Sequence, residues 1–206
     1  LVGEIVSRAA SDRVPVRTVA RARFDDAART QAPQGVLAHA EPVAVTPLDE
    51  LAAGRAPFLV VFDGLTDPQN LGALLRTAEV AGATGAVLPR HRSAHLSPAA
   101  VKAAAGAVEH LRFALVPGVP AALLRLGELG VWRVGLDAGG DRSVFELELG
   151  REPLALVVGA EGAGLSRLGR ARCDVVAAVP QAGALPSLNV AAAGAVACFH
   201  ILRGRQ

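Results

Sequence analysis

The chain has 206 residues, of which 51% are hydrophobic, 19% charged and 3% aromatic, and its mean hydropathy is +0.37. That length and apolar content support a sizeable core and exclude a disordered polypeptide. The 21 Lys and Arg exceed the 19 Asp and Glu by only two charges, and the scarcity of aromatics argues against RNA binding on stacked aromatic platforms. Lys102 is the sole lysine, so the basic chemistry is that of arginine, which suits bidentate phosphate contacts. Cys173 and Cys198 lie far apart with no CxxC neighbour. They read as two reduced thiols, not as a disulfide or a metal site. No apolar run approaches the roughly 20 residues of a membrane span. The sequence contains no Met, so Leu1 is not expected to be the natural start.

Residues 1–46 are irregular, with a strand expected at 16–19, a short helix at 24–30 and another strand at 36–40. Pro42 and Pro47 then break the chain into short pieces. A short helix is expected at 48–53 and a linker at 54–57. From Phe58 onward, apolar runs alternate with helical stretches. The continuous apolar run at 58–62 predicts a strand buried on both faces. A helix at 71–82 stops at Gly82. A strand at 86–88 precedes a helix at 98–107, with Ser97 as N-cap and Pro98 in the first turn. Then come a strand at 113–116, a helix at 120–129, strands at 131–136 and 154–158, a helix at 166–173, a strand at 175–179 and a final helix at 187–202. This alternation predicts an α/β fold with a mostly parallel sheet and helices on both faces.

The loop after the first strand carries neither the GxGxxG of a dinucleotide site nor a GxxxxGK[ST] phosphate loop. That argues against a nucleotide-dependent oxidoreductase. The loop offers side chains instead of bare backbone. Asn70 opens the following helix, either as a simple N-cap or as a functional amide. Arg76 sits in the otherwise apolar stretch Leu71 to Ala78, where a cation is costly unless paired or functional. Glu79, three residues on, is its plain structural partner. A second segment, Gly159-Ala160-Glu161-Gly162-Ala163-Gly164, joins three glycines, which let backbone approach a ligand, to one carboxylate. A third segment carries Pro180 and Gly183 and feeds Ser187-Leu188-Asn189 into the last helix, with Ser187 a possible N-cap. Arg90, His91, Arg92, His95, Lys102, His110 and Arg112, opposed only by Glu109, form a basic stretch. It is either a phosphate-binding rim or a solvated surface.

Together these segments resemble the SpoU/TrmH family of RNA 2′-O-ribose methyltransferases, within the SPOUT superfamily. The first family motif reads here as Asn70, Gly72 and Arg76-Thr77-Ala78. The second is Gly159 to Gly164. The third is Pro180, Gly183 and Ser187-Leu188-Asn189-Val190. The resemblance covers about residues 58–203. The lead-in Asp63 to Pro68 and the Arg92-Ser93-Ala94 loop are similar to the branch that methylates a guanosine ribose in bacterial large-subunit (23S) rRNA.

The resemblance implies a C-terminal trefoil knot whose loops hold S-adenosylmethionine through backbone around Leu136, Gly159, Val179 and Leu188. It implies catalytic roles for Asn70, Arg76, Glu161, Ser187 and Asn189, and RNA contacts by Arg90, Arg92, Lys102 and Arg112. Family usage makes the Arg76 equivalent the base. A guanidinium is normally a permanent donor, so the preferred role is to clamp the target phosphate and stabilise a developing alkoxide. Asn70 and Asn189 would orient the nucleotide and Arg76, Ser187 would hold the hydroxyl, and Glu161 would fix the loop and Arg76. The expected organisation is a partial RNA substrate-binding domain at 1–46, a linker at 47–57 and the methyltransferase domain at 58–206. The earlier part of the N-terminal domain is expected to be missing. A cytoplasmic homodimer without metal or membrane association completes the reading. A tRNA ribose methyltransferase and a non-catalytic RNA-binding or assembly module that keeps the knot are the alternatives.

Overall fold

The computed structural model describes residues 2–28, 33–91, 93–185 and 187–206. The chain divides into two compact units, Leu1–Pro42 and Val43–Gln206. The first unit contains helices α1 (Val2–Ser11) and α2 (Arg21–Ala27). Helix α1 was not expected, although Val2, Ile5, Val6 and Ala9 follow helical spacing. The helix expected at 24–30 begins earlier, at Arg21, whose Nε donates to the Asp25 carboxylate one turn on at 2.8 and 2.9 Å. The last two residues of that expectation lie outside the described residues. The strands expected at 16–19 and 36–40 do not form. Val16, Val19, Val36 and Leu37 are exposed, and no strand among the described residues pairs with them.

The second unit begins with α3 (Leu48–Ala52) and β1 (Phe58–Asp63). It continues with α4 (Pro68–Val80), β2 (Gly85–Pro89), α5 (Pro98–Ala104), β3 (Arg112–Val116), α6 (Val119–Glu128) and β4 (Trp132–Leu136). After these come β5 (Arg142–Ser143), β6 (Leu154–Gly159), α7 (Arg167–Arg170), β7 (Val175–Ala178) and α8 (Val190–Arg205). The strands form one sheet in the order β3-β2-β1-β6-β4-β7-β5, and every pairing is parallel. All the strand carboxyl ends therefore open on one side. Strand β1 pairs with β6 along its whole length, from Phe58 opposite Leu154 to Asp63 opposite Gly159. The two-residue β5 was not expected, because so short a segment carries no readable period.

Alternation along β1 supplies both sides of the core. Phe58, Val60 and Phe62 pack with α4, α5 and α8, while Leu59 and Val61 pack with α3 and α6. Helices on both faces explain why the run is continuously apolar. Gly72 lets α4 lie directly on α5, since a Cβ there would fall on the backbone of Ala100 and Ala104. The helix expected to reach residue 107 stops at Ala104. Ala105 and Gly106 adopt left-handed conformations with φ of 49° and 95°, which end it. At the other end of the sheet Arg205 closes α8. Its Nη1 donates to Ala56 O at 2.9 Å and its Nη2 to Glu152 O at 2.8 Å, and its guanidinium lies 5.3 Å from the centre of the Phe58 ring. Among the described residues, no helix is long and apolar enough to cross a membrane.

Candidate active site

A cleft of about 400 Å³ opens at the strand carboxyl ends. Its walls are the start of the loop after β4, the glycine loop after β6, and the segment between β7 and α8. Leu136, Gly159, Val179 and Leu188 all line it, together with Glu161, Ser187 and Asn189. Asn70 and Arg76 are not among its lining residues. The glycine loop doubles back on itself, with Ala160 and Gly164 exchanging two backbone hydrogen bonds at 2.9 Å. A Cβ on Gly159 would collide with the Gly164 carbonyl and the Leu165 nitrogen. Gly162 and Gly164 have φ of 72° and 67°, a conformation that favours glycine.

The structure brings Asn70, Glu161 and Asn189 together. Asp67, not Asn70, caps α4, accepting from Gln69 N at 3.1 Å and Asn70 N at 3.3 Å. The Asn70 side chain is thereby free. Its Nδ2 donates to Glu161 Oε1 at 2.8 Å, and its Oδ1 accepts from Asn189 Nδ2 at 3.1 Å. Asn189 Oδ1 in turn accepts from Ala191 N at 2.8 Å and Ala192 N at 3.3 Å, which caps α8. The helix N–H groups require an acceptor, so both amide orientations follow from the α8 terminus. Polarity runs from that terminus through two amides to the Glu161 carboxylate.

Three expectations change as a result. Ser187 does not cap the last helix, because α8 begins at Val190 and Asn189 reaches its free N–H groups. Ser187 is exposed in the cleft wall and makes no hydrogen bond among the described residues. Glu161 binds Asn70 and forms no ion pair with Arg76. Six residues of helix are about 9 Å of rise and a third of a turn in facing, which separates Arg76 from the Asn70 contact. Arg76 is exposed, without an ion pair or hydrogen bond among the described residues, so Glu79 does not neutralise it either.

The basic stretch does not form one rim. Arg90 follows the carboxyl end of β2 and is exposed. Arg112 opens β3, where it stands opposite Gly85 at the amino end of the sheet. There its Nη2 meets Glu50 Oε1 at 2.8 Å. Consecutive segments of a parallel βα unit alternate between the two ends of the sheet, so sequence neighbours separate. Lys102 is exposed on α5. Arg92 lies outside the described residues.

Two carboxylates received no role from the sequence, Asp63 being only the first residue of the lead-in motif and Asp137 not singled out. Asp63, the only buried charged residue among those described, ends β1 and accepts from Ser166 N at 2.8 Å. Asp137 follows β4 and lines the cleft. Its Oδ1 accepts from Gly139 N at 2.9 Å and lies 3.2 Å from Arg170 Nη1, while its Oδ2 accepts from Leu165 N at 3.0 Å. The signal available was an Asp directly after a strand and two residues before the glycine pair Gly139-Gly140. Burial alone would raise the Asp137 carboxyl, but the Leu165 and Gly139 N–H groups and Arg170 outweigh it and hold it below the usual range. On the same terms burial opposes the ionisation of Asp174 but Arg133 favours it and prevails, holding that carboxyl below the usual range; Asp174 accepts from Arg133 N and Nε at 2.8 Å.

Both carboxyls are lower in the folded state than in the unfolded one. Their stabilisation is complete above the ordinary carboxylate pKa of about 4 and disappears as pH falls through their folded values. Urea denaturation from pH 6 down to pH 3 is expected to show stability falling below about pH 4, with a shallower fall in Asp174→Asn. Burial pushes the Cys173 and Cys198 thiols up to about 11 and about 12, which keeps them protonated. Among the described residues no cluster of His, Cys, Asp and Glu could hold a metal ion.

A parallel α/β sheet with a glycine-walled cleft at its carboxyl ends and three polar motifs at its lip defines the class. Residues 57–199 match the family model described as the SpoU rRNA Methylase family, and the chain belongs to that family. Residues 1–45 match a second model, RNA 2′-O ribose methyltransferase substrate binding. The chain is 39% identical to a 23S rRNA (guanosine-2′-O-)-methyltransferase of Pseudomonas putida, over 98% of this chain and 83% of that protein. It is 42% identical to an uncharacterized tRNA/rRNA methyltransferase of Synechocystis sp., over 84% of this chain and 46% of that one. The crystal structure of the SpoU methyltransferase AviRb from Streptomyces viridochromogenes, in complex with AdoMet, superposes with a TM-score of 0.71. That match has 30% identity and covers 78% of this chain and 65% of the other. The chain thus spans less than two thirds of the cyanobacterial relative and of the AviRb chain.

Proposed function

We propose that the chain transfers a methyl group from S-adenosylmethionine to the ribose 2′-hydroxyl of a guanosine in large-subunit rRNA. The observation that carries this reading is the hydrogen-bonded chain Asn189–Asn70–Glu161, which joins all three polar motifs at the lip of the cleft. The named activity of the Pseudomonas relative supports the choice of rRNA.

The cleft suits the cofactor. Leu136, Val158, Val179, Leu188 and Val190 give it apolar walls, and the glycine loop exposes backbone polar groups. Asp137 and Glu161 are the only charged side chains lining it among the described residues. Asp137 is engaged by Arg170 and two backbone N–H groups, so Glu161 is the carboxylate that suits a cationic sulfonium. When bound, S-adenosylmethionine supplies an electrophilic methyl group. The protein then has to position the hydroxyl and accommodate charge on its oxygen. Arg76, exposed and unpaired among the described residues, binds the target phosphate and stabilises that developing charge. Asn70, its amide fixed at both ends, presents a rigid edge to the nucleotide. Asn189 uses both amide atoms within the protein and acts through Asn70. Ser187 offers its free hydroxyl to the ribose.

Residues 1–46 and the exposed Arg90 and Lys102, with Arg92, belong to the RNA-binding side of this proposal. It keeps 47–57 as the link to a catalytic domain at 58–206, the α3 helix of that link being packed on the sheet. A trefoil knot belongs to it too, supported by the close approach of the loop after β4 to β7, where a Cβ on Gly140 would fall on the backbone of Ala177 and Ala178. So do a cytoplasmic setting and a homodimer that uses the exposed Ala192 and Phe199 of α8. The decisive experiment is labelled-methyl transfer from S-adenosylmethionine to 23S rRNA and, separately, to tRNA, followed by mapping of the modified ribose. Label at one guanosine ribose of the rRNA is expected. Label in tRNA alone would overturn the substrate, and cofactor binding with no transfer to either would favour the non-catalytic module.

A further inference from the structure

We infer that Asp137 is a positioning residue for cofactor binding, its carboxylate fixing the glycine loop against the loop after β4 and so setting the width of the cleft. This inference rests on the cofactor reading of the cleft. Strands β4 and β6 are sheet neighbours, and their last paired residues are Leu136 and Val158. Beyond that pair the two chains diverge around the cleft and ladder bonds end between them. Asp137 replaces the ladder. Its backbone N–H still donates to Ala177 O on β7 at 3.0 Å, so its main chain is held by the sheet. Its side chain reaches the other way, to Leu165 N at the exit of the glycine loop.

Two further observations support a geometric role. Asp137 Oδ2 occupies the space that a Cβ on Gly164 would need, so the glycine there makes room for this carboxylate as well as for its own backbone turn. Arg170 braces the arrangement, with Nη1 at Asp137 Oδ1 and Nη2 donating to Gly139 O at 2.6 Å. Both carboxylate oxygens are thus engaged inside the protein. Asp63, at the end of β1 on the other side of β6, holds the next N–H, that of Ser166. Consecutive amides at the loop exit are therefore fixed by carboxylates from the two strands that flank β6. With the exit fixed, the loop tip can carry Glu161 to Asn70.

The test uses the whole chain with Asp137→Asn, Arg170→Ala and their double variant. Asp174→Asn is the control, since its carboxylate is similarly shielded but stands outside the cleft. Titration calorimetry gives the Kd for S-adenosylmethionine, and steady-state transfer gives its KM and kcat. Asp137→Asn is expected to raise Kd and KM about tenfold, the equivalent of one charge-assisted hydrogen bond, while kcat at saturating cofactor changes by less than about threefold. Arg170→Ala should shift them in the same direction by less, and the double variant should add little to Asp137→Asn. Asp174→Asn should lower the melting temperature without moving Kd. Amide exchange at Leu165 should quicken in Asp137→Asn with no cofactor present. A folded Asp137→Asn protein whose Kd and Leu165 exchange match those of the wild type would overturn the inference. A wild-type protein that binds no S-adenosylmethionine would instead remove the cofactor reading, and with it this role for Asp137.

Discussion

Replacing Arg76 with alanine should reduce methyl transfer by a factor of about 10² to 10³, the usual effect of removing one donor aimed at developing charge. The melting temperature and the Kd for S-adenosylmethionine should stay at wild-type values. The reason is structural. Arg76 is exposed on α4, has no partner among the described residues and does not line the cleft. It therefore contributes little to packing or to the cofactor walls, and its charge is available to RNA. Arg76→Lys separates two explanations. A bidentate clamp uses the planar fork of the guanidinium, which an ammonium cannot reproduce. Activity of the lysine variant within about threefold of wild type would exclude the clamp and leave a simple charge effect. Transfer of labelled methyl to rRNA under saturating cofactor measures both.

Gly159→Ala should be the most damaging small substitution at the cleft. The added methyl would fall on the backbone of Gly164 and Leu165, not on a side chain that could turn aside. The opposing strand of the loop cannot retreat cheaply. Leu165 N is held by Asp137 and Ser166 N by Asp63, and two backbone hydrogen bonds join Ala160 to Gly164. Overpacking of this kind costs about 1–3 kcal/mol, which corresponds to a fall of several degrees in melting temperature for a chain of this size. The cofactor Kd should rise at least about tenfold, because the displaced backbone is the cleft wall itself. A variant with unchanged Kd and melting temperature would mean that the loop yields freely and that its tight closure is not needed.

The repeating elements of the larger unit were legible because their patterns are local. The run at 58–62 is apolar at every position because helices cover both faces of β1, and the alternation of strands and helices implies parallel pairing. The loop motifs were legible because glycines and polar residues stand out against that background. Segments 16–19 and 36–40 misled for a related reason. Val and Leu favour extended chain, yet a strand also needs an edge to pair with, and composition does not supply one. Helix α1 was missed although its apolar residues follow helical spacing.

Residues close together in the chain were enough to specify the α/β alternation, the polar motifs and their order. Which polar atoms meet depends on long-range packing. Asn70 and Asn189 stand 119 residues apart, and their contact exists because parallel strands gather their carboxyl-end loops on one side of the sheet. The same geometry sends Arg112 to the opposite end, away from Arg90, and brings Asp137 to the glycine loop. Hydrogen-bond directions are set by such distant neighbours: an amide at residue 189 has its oxygen committed once α8 starts at Val190, and only then is the orientation of Asn70 fixed.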